Sequence, residues 1–142
     1  MKDSISPEVQ IEESKTIIKA VLKLNISNYM KRKVIGTMIW NITGANGKYE
    51  LPFISVLAKE NPNLKVNHEH IFRKKILVDE ILLNPDNLEN ILENAVACVV
   101  TLEEHNRLNQ ADKENPKIDG WERYNLAKIK VWDNINSKIL EL

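Results

Sequence analysis

The chain has 142 residues, 43% of them hydrophobic, and its 20 basic and 20 acidic residues give no net charge. A chain of this length usually forms one domain, and its apolar residues are numerous enough for a hydrophobic core. The balanced charge excludes a protein that coats nucleic acid by bulk electrostatics, although it leaves room for a local basic cleft. Cys98 is the only cysteine. A disulfide framework and a cysteine-based zinc cluster are therefore excluded.

Two helices are predicted in the first part of the chain. Ser6 followed by Pro7 is typical of a helix start, and apolar residues then recur at helical spacing to about Asn25. Ser27 is a suitable cap for a second helix, with apolar residues on one of its faces. Residues 51–59, with a proline near their beginning, predict a third and shorter helix.

The central part of the chain alternates between strand and helix signals. Residues 66–72 alternate in polarity and predict a strand, and residues 98–100 predict a second, β-branched one. Between them, helices are predicted over residues 74–83 and 88–97. Thr101 is a suitable cap for the next helix because Glu104 stands at its third position. The C-terminal part predicts a helix over 121–128, a strand over 129–132 and a terminal helix over 134–142.

All three histidines of the chain fall in this central part, in NHEHIFRKK and TLEEHNRLN. His68 and His70 are two apart on the predicted strand, so their side chains share a face and could both meet one ion. Glu69 points to the other side unless the strand ends before it. His105 lies one turn into the following helix. Two interpretations stay open: a metal and nucleic-acid site, or three unrelated polar residues on solvated surfaces.

The stretch Glu69-His70-Ile71, the later Asp86-Asn87-Leu88 and a final helix that opens with His105 occur in a distinctive order. This order over residues 66–110 resembles that of the HNH, or His-Me finger, endonucleases. The resemblance implies that His70 is the general base, oriented by Asn87 or by Asn94 in its place. It also implies that Glu69 and His105 hold a divalent ion on the scissile phosphate.

The expected site includes further residues. His68 is added to the metal ligands because it shares a strand face with His70. Arg73, Lys74 and Lys75 follow the strand directly and are candidates to neutralise phosphates of a nucleic acid, although exposed charge is their common role. The expected cofactor is a divalent metal, namely Mg, Mn, Ni or Zn, and the expected partner is nucleic acid.

The expected fold class is α+β and mostly helical, with a small two-stranded antiparallel ββα-type unit surrounded by helices. Residues 1–142 are predicted to form one domain, with a helical N-terminal part (1–60), an HNH-like core (66–110) and a C-terminal cover (117–142). Four features depart from the family pattern: a glutamate in place of the usual aspartate, a long helical excursion between the strands, the absence of cysteine pairs, and the absence of Gly-Gly after the first motif. A phage or mobile-element protein that kept the fold and lost the chemistry would show such departures.

The alternative is a non-catalytic helical interaction protein, such as a small inhibitor or adaptor, that binds a protein partner. Trp121, Tyr124 and Trp132 stand near Arg123, and these residue types dominate binding hot spots. The competing interpretation is that they pack on the core. Cys98, within an apolar run, is predicted to be a buried thiol. The polar N-terminus and the absence of a long apolar run lead us to expect a cytoplasmic protein without a membrane partner.

Overall fold

A computed structural model describes residues 4–142. The chain divides into two compact units. Unit 1 contains the described residues up to Lys48 together with Lys74–Ala95, and unit 2 contains Tyr49–Arg73 and Val96–Leu142. This division differs from the predicted one, because residues 74–95 of the expected core group with the N-terminal helices.

The helices and strands follow one another along the chain with a single 3-10 turn at Pro85–Asn87. In order they are α1 (Pro7–Lys23), α2 (Asn28–Thr43), β1 (Phe53–Ser55), α3 (Val56–Glu60), β2 (Val66–His70), α4 (Lys74–Leu83), α5 (Leu88–Leu92), β3 (Ala97–Thr101), α6 (Leu102–Glu114), α7 (Trp121–Leu126), β4 (Val131–Asp133) and β5 (Lys138–Ile139).

Unit 1 is helical, and its helix starts are those that the capping residues predict. The side chain of Ser6 accepts a hydrogen bond from the amide of Val9, and that of Ser27 accepts one from Met30. Because α1 packs on α2 and α2 on α4, apolar side chains such as Ile18, Ile35 and Ile81 become fully buried. Within residues 4–142, no helix combines the length and the apolar character that crossing a membrane requires.

Unit 2 contains a five-stranded mixed sheet in the order β2-β3-β1-β4-β5. Strand β2 is antiparallel to β3, with Glu69 opposite Cys98, so the predicted antiparallel pairing of these segments is confirmed. The expected two-stranded unit is wrong, because β3 also pairs in parallel with β1, and β1 is antiparallel to β4. The broader prediction of a mostly helical α+β protein is confirmed.

Three predicted elements need correction, and each involves a strand or turn in unit 2. Residues 53–55 form β1 rather than the start of a helix, and helix α5 ends at Leu92, before β3 begins at Ala97. The terminal helix over 134–142 is wrong. The carboxylate of Asp133 instead accepts hydrogen bonds from the amides of Ile135 and Asn136, which makes a tight turn into β5.

The turn before α7 depends on a glycine. Gly120 has a φ of 67°, a conformation that residues with a Cβ rarely adopt. A Cβ built on this residue would lie 2.7 Å from Cε1 of Phe72. The close approach lets α7 start directly against the end of β2, and this brings its Arg123 to the polar cluster described below.

Candidate functional site

Strand β2 has two faces with different side chains. Because residues alternate along a strand, Asn67 and Glu69 share one face with their cross-strand neighbours Val100 and Cys98. We call this the glutamate face. The histidine face carries the remaining residues of the same pairing, which are Val66, His68, His70, Ala97, Val99 and Thr101. The two faces therefore divide the sequence His68-Glu69-His70.

On the glutamate face, Glu69 contacts the first turn of α6. Its Oε2 atom lies 2.5 Å from Nδ1 of His105. The His105 side chain is 31% exposed and that of Glu69 is 13% exposed, so the pair lies at the edge of solvent. Asn109 stands one turn further along α6, with Nδ2 3.2 Å from Nε2 of the same imidazole. Residues four apart share a helix face, which explains this second contact.

The other oxygen of Glu69 faces Arg123 of α7, the largest fully buried side chain of the described residues. Nη2 of Arg123 lies 3.4 Å from Oε1 of Glu69, and Nη1 donates to the carbonyl oxygens of His70 and Ile71 at 2.9 Å. The same guanidinium donates twice to Asp112, at 2.7 and 2.9 Å. Burial opposes the charge of Arg123, but Asp112 and Glu69 outweigh it and the pKa of Arg123 is raised.

The start of α6 is fixed by a capping box. The hydroxyl of Thr101 accepts a hydrogen bond from the amide of Glu104, and Oε1 of Glu104 accepts one from the amide of Thr101 at 3.0 Å. The hydroxyl of Ser55 in β1 donates to the same oxygen at 2.5 Å. These bonds satisfy a carboxylate that is 2% exposed, and they hold His105 one residue further at a fixed position over the sheet.

The glutamate face also carries a thiol, that of Cys98. Cys98 is fully buried, so the prediction of a buried cysteine is confirmed. Burial raises the pKa of Cys98 well above its usual value, and the charges of Glu104 and Glu69 add to the rise. Burial likewise raises the pKa of Tyr124, which belongs to the same hydrophobic cluster.

The structure brings together two of the three expected metal ligands, Glu69 and His105. His68 lies on the histidine face, where its ring centroid is 5.2 Å from that of His70. Both rings are 7% exposed, and Ala97 and Val99 of the same face belong to an apolar cluster. Among residues 4–142, no three His, Cys, Asp or Glu side chains form a group that could hold a metal ion.

The remaining predicted residues have other surroundings. Arg73 is in unit 2, where its Nη2 donates to the carbonyl oxygens of Pro116 and Ile118 at 2.7 and 2.6 Å. The side chain therefore anchors the loop before α7. Lys74 and Lys75 open α4 in unit 1. Asn87 and Asn94 also belong to unit 1, where Asn87 accepts a hydrogen bond from Asn90 at 2.7 Å.

Three members of the cluster were not foreseen from the sequence: Asn109, Asp112 and Arg123. Asn109 follows His105 by four residues, and this spacing predicts that the two side chains are neighbours on the helix. Asp112 stands one turn beyond the buried Leu108, and this position at the edge of the apolar stripe of α6 is a weaker signal. Arg123 of α7 pairs with Glu69 of β2 and with Asp112 of α6. No local sequence signal predicts these ion pairs, because they join different elements of the fold.

No family model matches the sequence, and comparison with curated proteins and with solved structures gives no significant match. The site is therefore interpreted from its own geometry.

Proposed function

We propose that this protein hydrolyses phosphodiester bonds of nucleic acid at the pair formed by Glu69 and His105, with a divalent ion as cofactor. One observation carries the proposal. A carboxylate oxygen and an imidazole nitrogen from distant parts of the sequence converge to 2.5 Å at the edge of solvent, where β2 and β3 meet the start of α6. The resemblance to His-Me finger endonucleases assigns the metal to these same two residues.

The donor set fits a weakly held, hydrated ion better than a permanent one. Structural and catalytic zinc sites use at least three protein ligands as a rule. Mg²⁺ is instead bound through one or two carboxylates together with waters and substrate phosphates. Glu69 and His105 would hold the ion, with the amide oxygen of Asn109 available after a flip of the side chain. When bound, the ion polarises a phosphoryl oxygen and favours attack by water.

The protein's own residues supply positioning and proton transfer. With the proton on Nδ1, His105 donates to Glu69 and presents Nε2, which lies toward Asn109, as the acceptor. A carboxylate that orients an imidazole in this way is common both for a metal ligand and for a general base, and Nε2 can have only one of these roles at a time. Arg123 holds the second oxygen of Glu69 and so fixes the carboxylate.

Two histidines, His70 and His105, are candidates for the general base. The resemblance makes His70 the general base, whereas the strand register puts its ring on the face opposite Glu69. Its substitution therefore separates two assignments of the base. If His70→Ala keeps its fold and loses about 10²–10⁴-fold in rate, His70 is the base and Nε2 of His105 is available to the ion; if it retains the rate, His70 is not the base.

The test is a cleavage assay of purified protein on plasmid, single-stranded DNA and RNA, with Mg, Mn or Ni and with EDTA. We expect Glu69→Gln and His105→Ala to lose at least about 10²-fold in rate, because each removes one member of the pair. Asn67→Gln is the matched control, since Asn67 shares the glutamate face and has no contact with His105 in the described hydrogen bonds. Activity in EDTA would assign the pair to proton transfer without metal.

The interaction-protein alternative loses part of its basis. Tyr124 is fully buried, and Trp121 packs edge-on against it and against Phe53, with ring centroids 5.2 and 5.0 Å away. These aromatic residues contribute to the core, as their competing interpretation predicted. A folded protein that cleaves none of the substrates would contradict the hydrolase and leave the interaction protein as the better proposal.

A further inference from the structure

A basic groove runs between α2 and α4 in unit 1, with a volume of about 550 Å³. Its cationic lining consists of Arg32 and Lys33 from α2 and of Lys74 and Lys75 from α4. Gly36 of α2 also lines the groove, and a Cβ built on it would lie 3.6 Å from Cε of Lys74. Although the whole chain has no net charge, these four residues concentrate positive charge on one surface.

Most of this charge is not cancelled within the protein. Arg32 forms an ion pair with Asp79 of α4. Among residues 4–142, Lys33, Lys74 and Lys75 form no ion pair with a carboxylate. Lys33 instead lies over the ring of Tyr29 at 4.7 Å, and Lys74 over that of Trp40 at 5.6 Å. A cation–π contact places the ammonium group but leaves its charge available to an anion.

Two aromatic residues of α2, Tyr29 and Trp40, lie before and after the α2 residues that line the groove. Tyr29, Lys33, Gly36 and Trp40 are spaced by four, three and four residues, so they form one stripe on the helix surface. At 1.5 Å per residue the stripe is about 16 Å long. Tyr29 is 65% exposed at one end, and Trp40 is 39% exposed at the other.

We propose that the basic groove binds single-stranded nucleic acid, with its lysines on the phosphates and Tyr29 stacked on a base. A cationic groove that follows the backbone, together with an exposed aromatic ring, is the usual composition of such sites. A duplex keeps its bases stacked and would leave Tyr29 unused. The choice of nucleic acid over other polyanions rests on the proposed function, whereas the groove itself rests on charge and spacing.

The experiment measures binding of a fluorescent single-stranded DNA or RNA oligonucleotide to the whole chain in EDTA, so that no cleavage is needed. We expect the double variant K33E/K75E to weaken binding at least about tenfold and to reduce the dependence of affinity on salt, because phosphate contacts are lost. The matched control is K113E/K117E, which makes the same change of charge at two exposed lysines of unit 2. The control should change affinity less than about threefold.

A second variant tests stacking apart from charge. Tyr29→Ala should weaken single-strand binding about fivefold or more and leave the salt dependence unchanged. Circular dichroism checks that each variant keeps its helices. Equal losses of affinity in the groove and control variants would contradict the proposal that the groove binds single-stranded nucleic acid. A duplex that binds as tightly as the single strand would contradict it too.

These outcomes are separate from those of the hydrolase test. Groove-dependent binding by a protein that does not cleave supports the groove and contradicts only the hydrolase. If the protein cleaves nucleic acid and K33E/K75E binds the oligonucleotide as tightly as wild type, the groove proposal is contradicted and the hydrolase proposal stands.

Discussion

The polar side chains on the two faces of β2 have different surroundings. On the glutamate face, Glu69 is tied by named contacts to α6 and α7, through His105 and Arg123. On the histidine face, two imidazole rings lie beside each other above small apolar residues of β3. One strand of five residues thus belongs to a charged network on one side and to an apolar cluster on the other.

This difference shows that secondary structure can separate the side chains of residues that are adjacent in sequence. His68, Glu69 and His70 are adjacent in sequence and suggest one constellation. The period of two in a strand separates them, and the residues that meet Glu69 come instead from 36 and 54 positions away. Substitutions on each face test whether the two faces are independent.

Removing Arg123 should have the largest effect, because the glutamate face depends on it. The Arg123→Ala variant leaves two carboxylates, Asp112 and Glu69, without their buried partner. We expect it to lower the free energy of unfolding by about 3–5 kcal/mol in urea titrations. Lys117→Ala, at an exposed lysine, is the control and should stay within about 0.5 kcal/mol. A loss below about 1 kcal/mol for Arg123→Ala would contradict the account.

Neutralising Glu69 should have a smaller effect that is specific to its face. Glu69→Gln keeps the shape of the side chain and removes its charge, so we expect a loss of about 1–3 kcal/mol in the free energy of unfolding. It should also shift the imidazole resonances of His105 in NMR spectra. His68→Gln, on the histidine face, should leave those resonances in place. If both variants shift them equally, the two faces are not independent.

The smallest effect concerns pH and the thiol of Cys98 on the glutamate face. Above pH 9.0, the usual pKa of a cysteine, the thiol of the unfolded chain ionises while the raised pKa of Cys98 keeps the folded one protonated. The unfolded state then binds fewer protons, so stability should fall as pH rises, by about 1.4 kcal/mol per pH unit for one group. Tyr124 should add to the slope above pH 10.0.

Cys98→Ala is the variant that isolates this effect. Urea titrations of wild type and variant between pH 8 and pH 10 compare the slopes, whatever the variant costs in stability at neutral pH. The variant should lack the part of the slope that begins near the cysteine value. An unchanged slope would show that Cys98 does not cause it.

The parts of the fold that were predicted from the sequence are those with a local cause. Ser6, Ser27 and Thr101 mark helix starts because the side chain of each accepts a hydrogen bond from the backbone amide three residues later. Helix α4 has the predicted limits. The antiparallel pairing of β2 and β3 was also predicted, since each has its own strand signal.

The parts that were not predicted depend on distant partners. Phe53 and Ile54 are apolar and follow a proline, which is typical of a helix start, but pairing with β3 and β4 makes residues 53–55 a strand. The terminal segment carries Ile135, Ile139 and Leu142 at helical spacing, yet the Asp133 turn directs it into β5. In the site, the contact of Glu69 with His105 followed from the resemblance, whereas Arg123 is supplied by a helix that no motif links to it.

The long connection between β2 and β3 has a consequence for synthesis. The amide of Ile71 donates to the carbonyl of Val96 at 3.1 Å, so the chain leaves unit 2 and re-enters it at neighbouring points. Since Lys74–Ala95 belong to unit 1, that unit has all its segments once Ala95 has been translated. Strands β3, β4 and β5 of unit 2 are translated after that point. A nascent chain that ends at Ala95 therefore carries a complete helical unit while its sheet still lacks three strands.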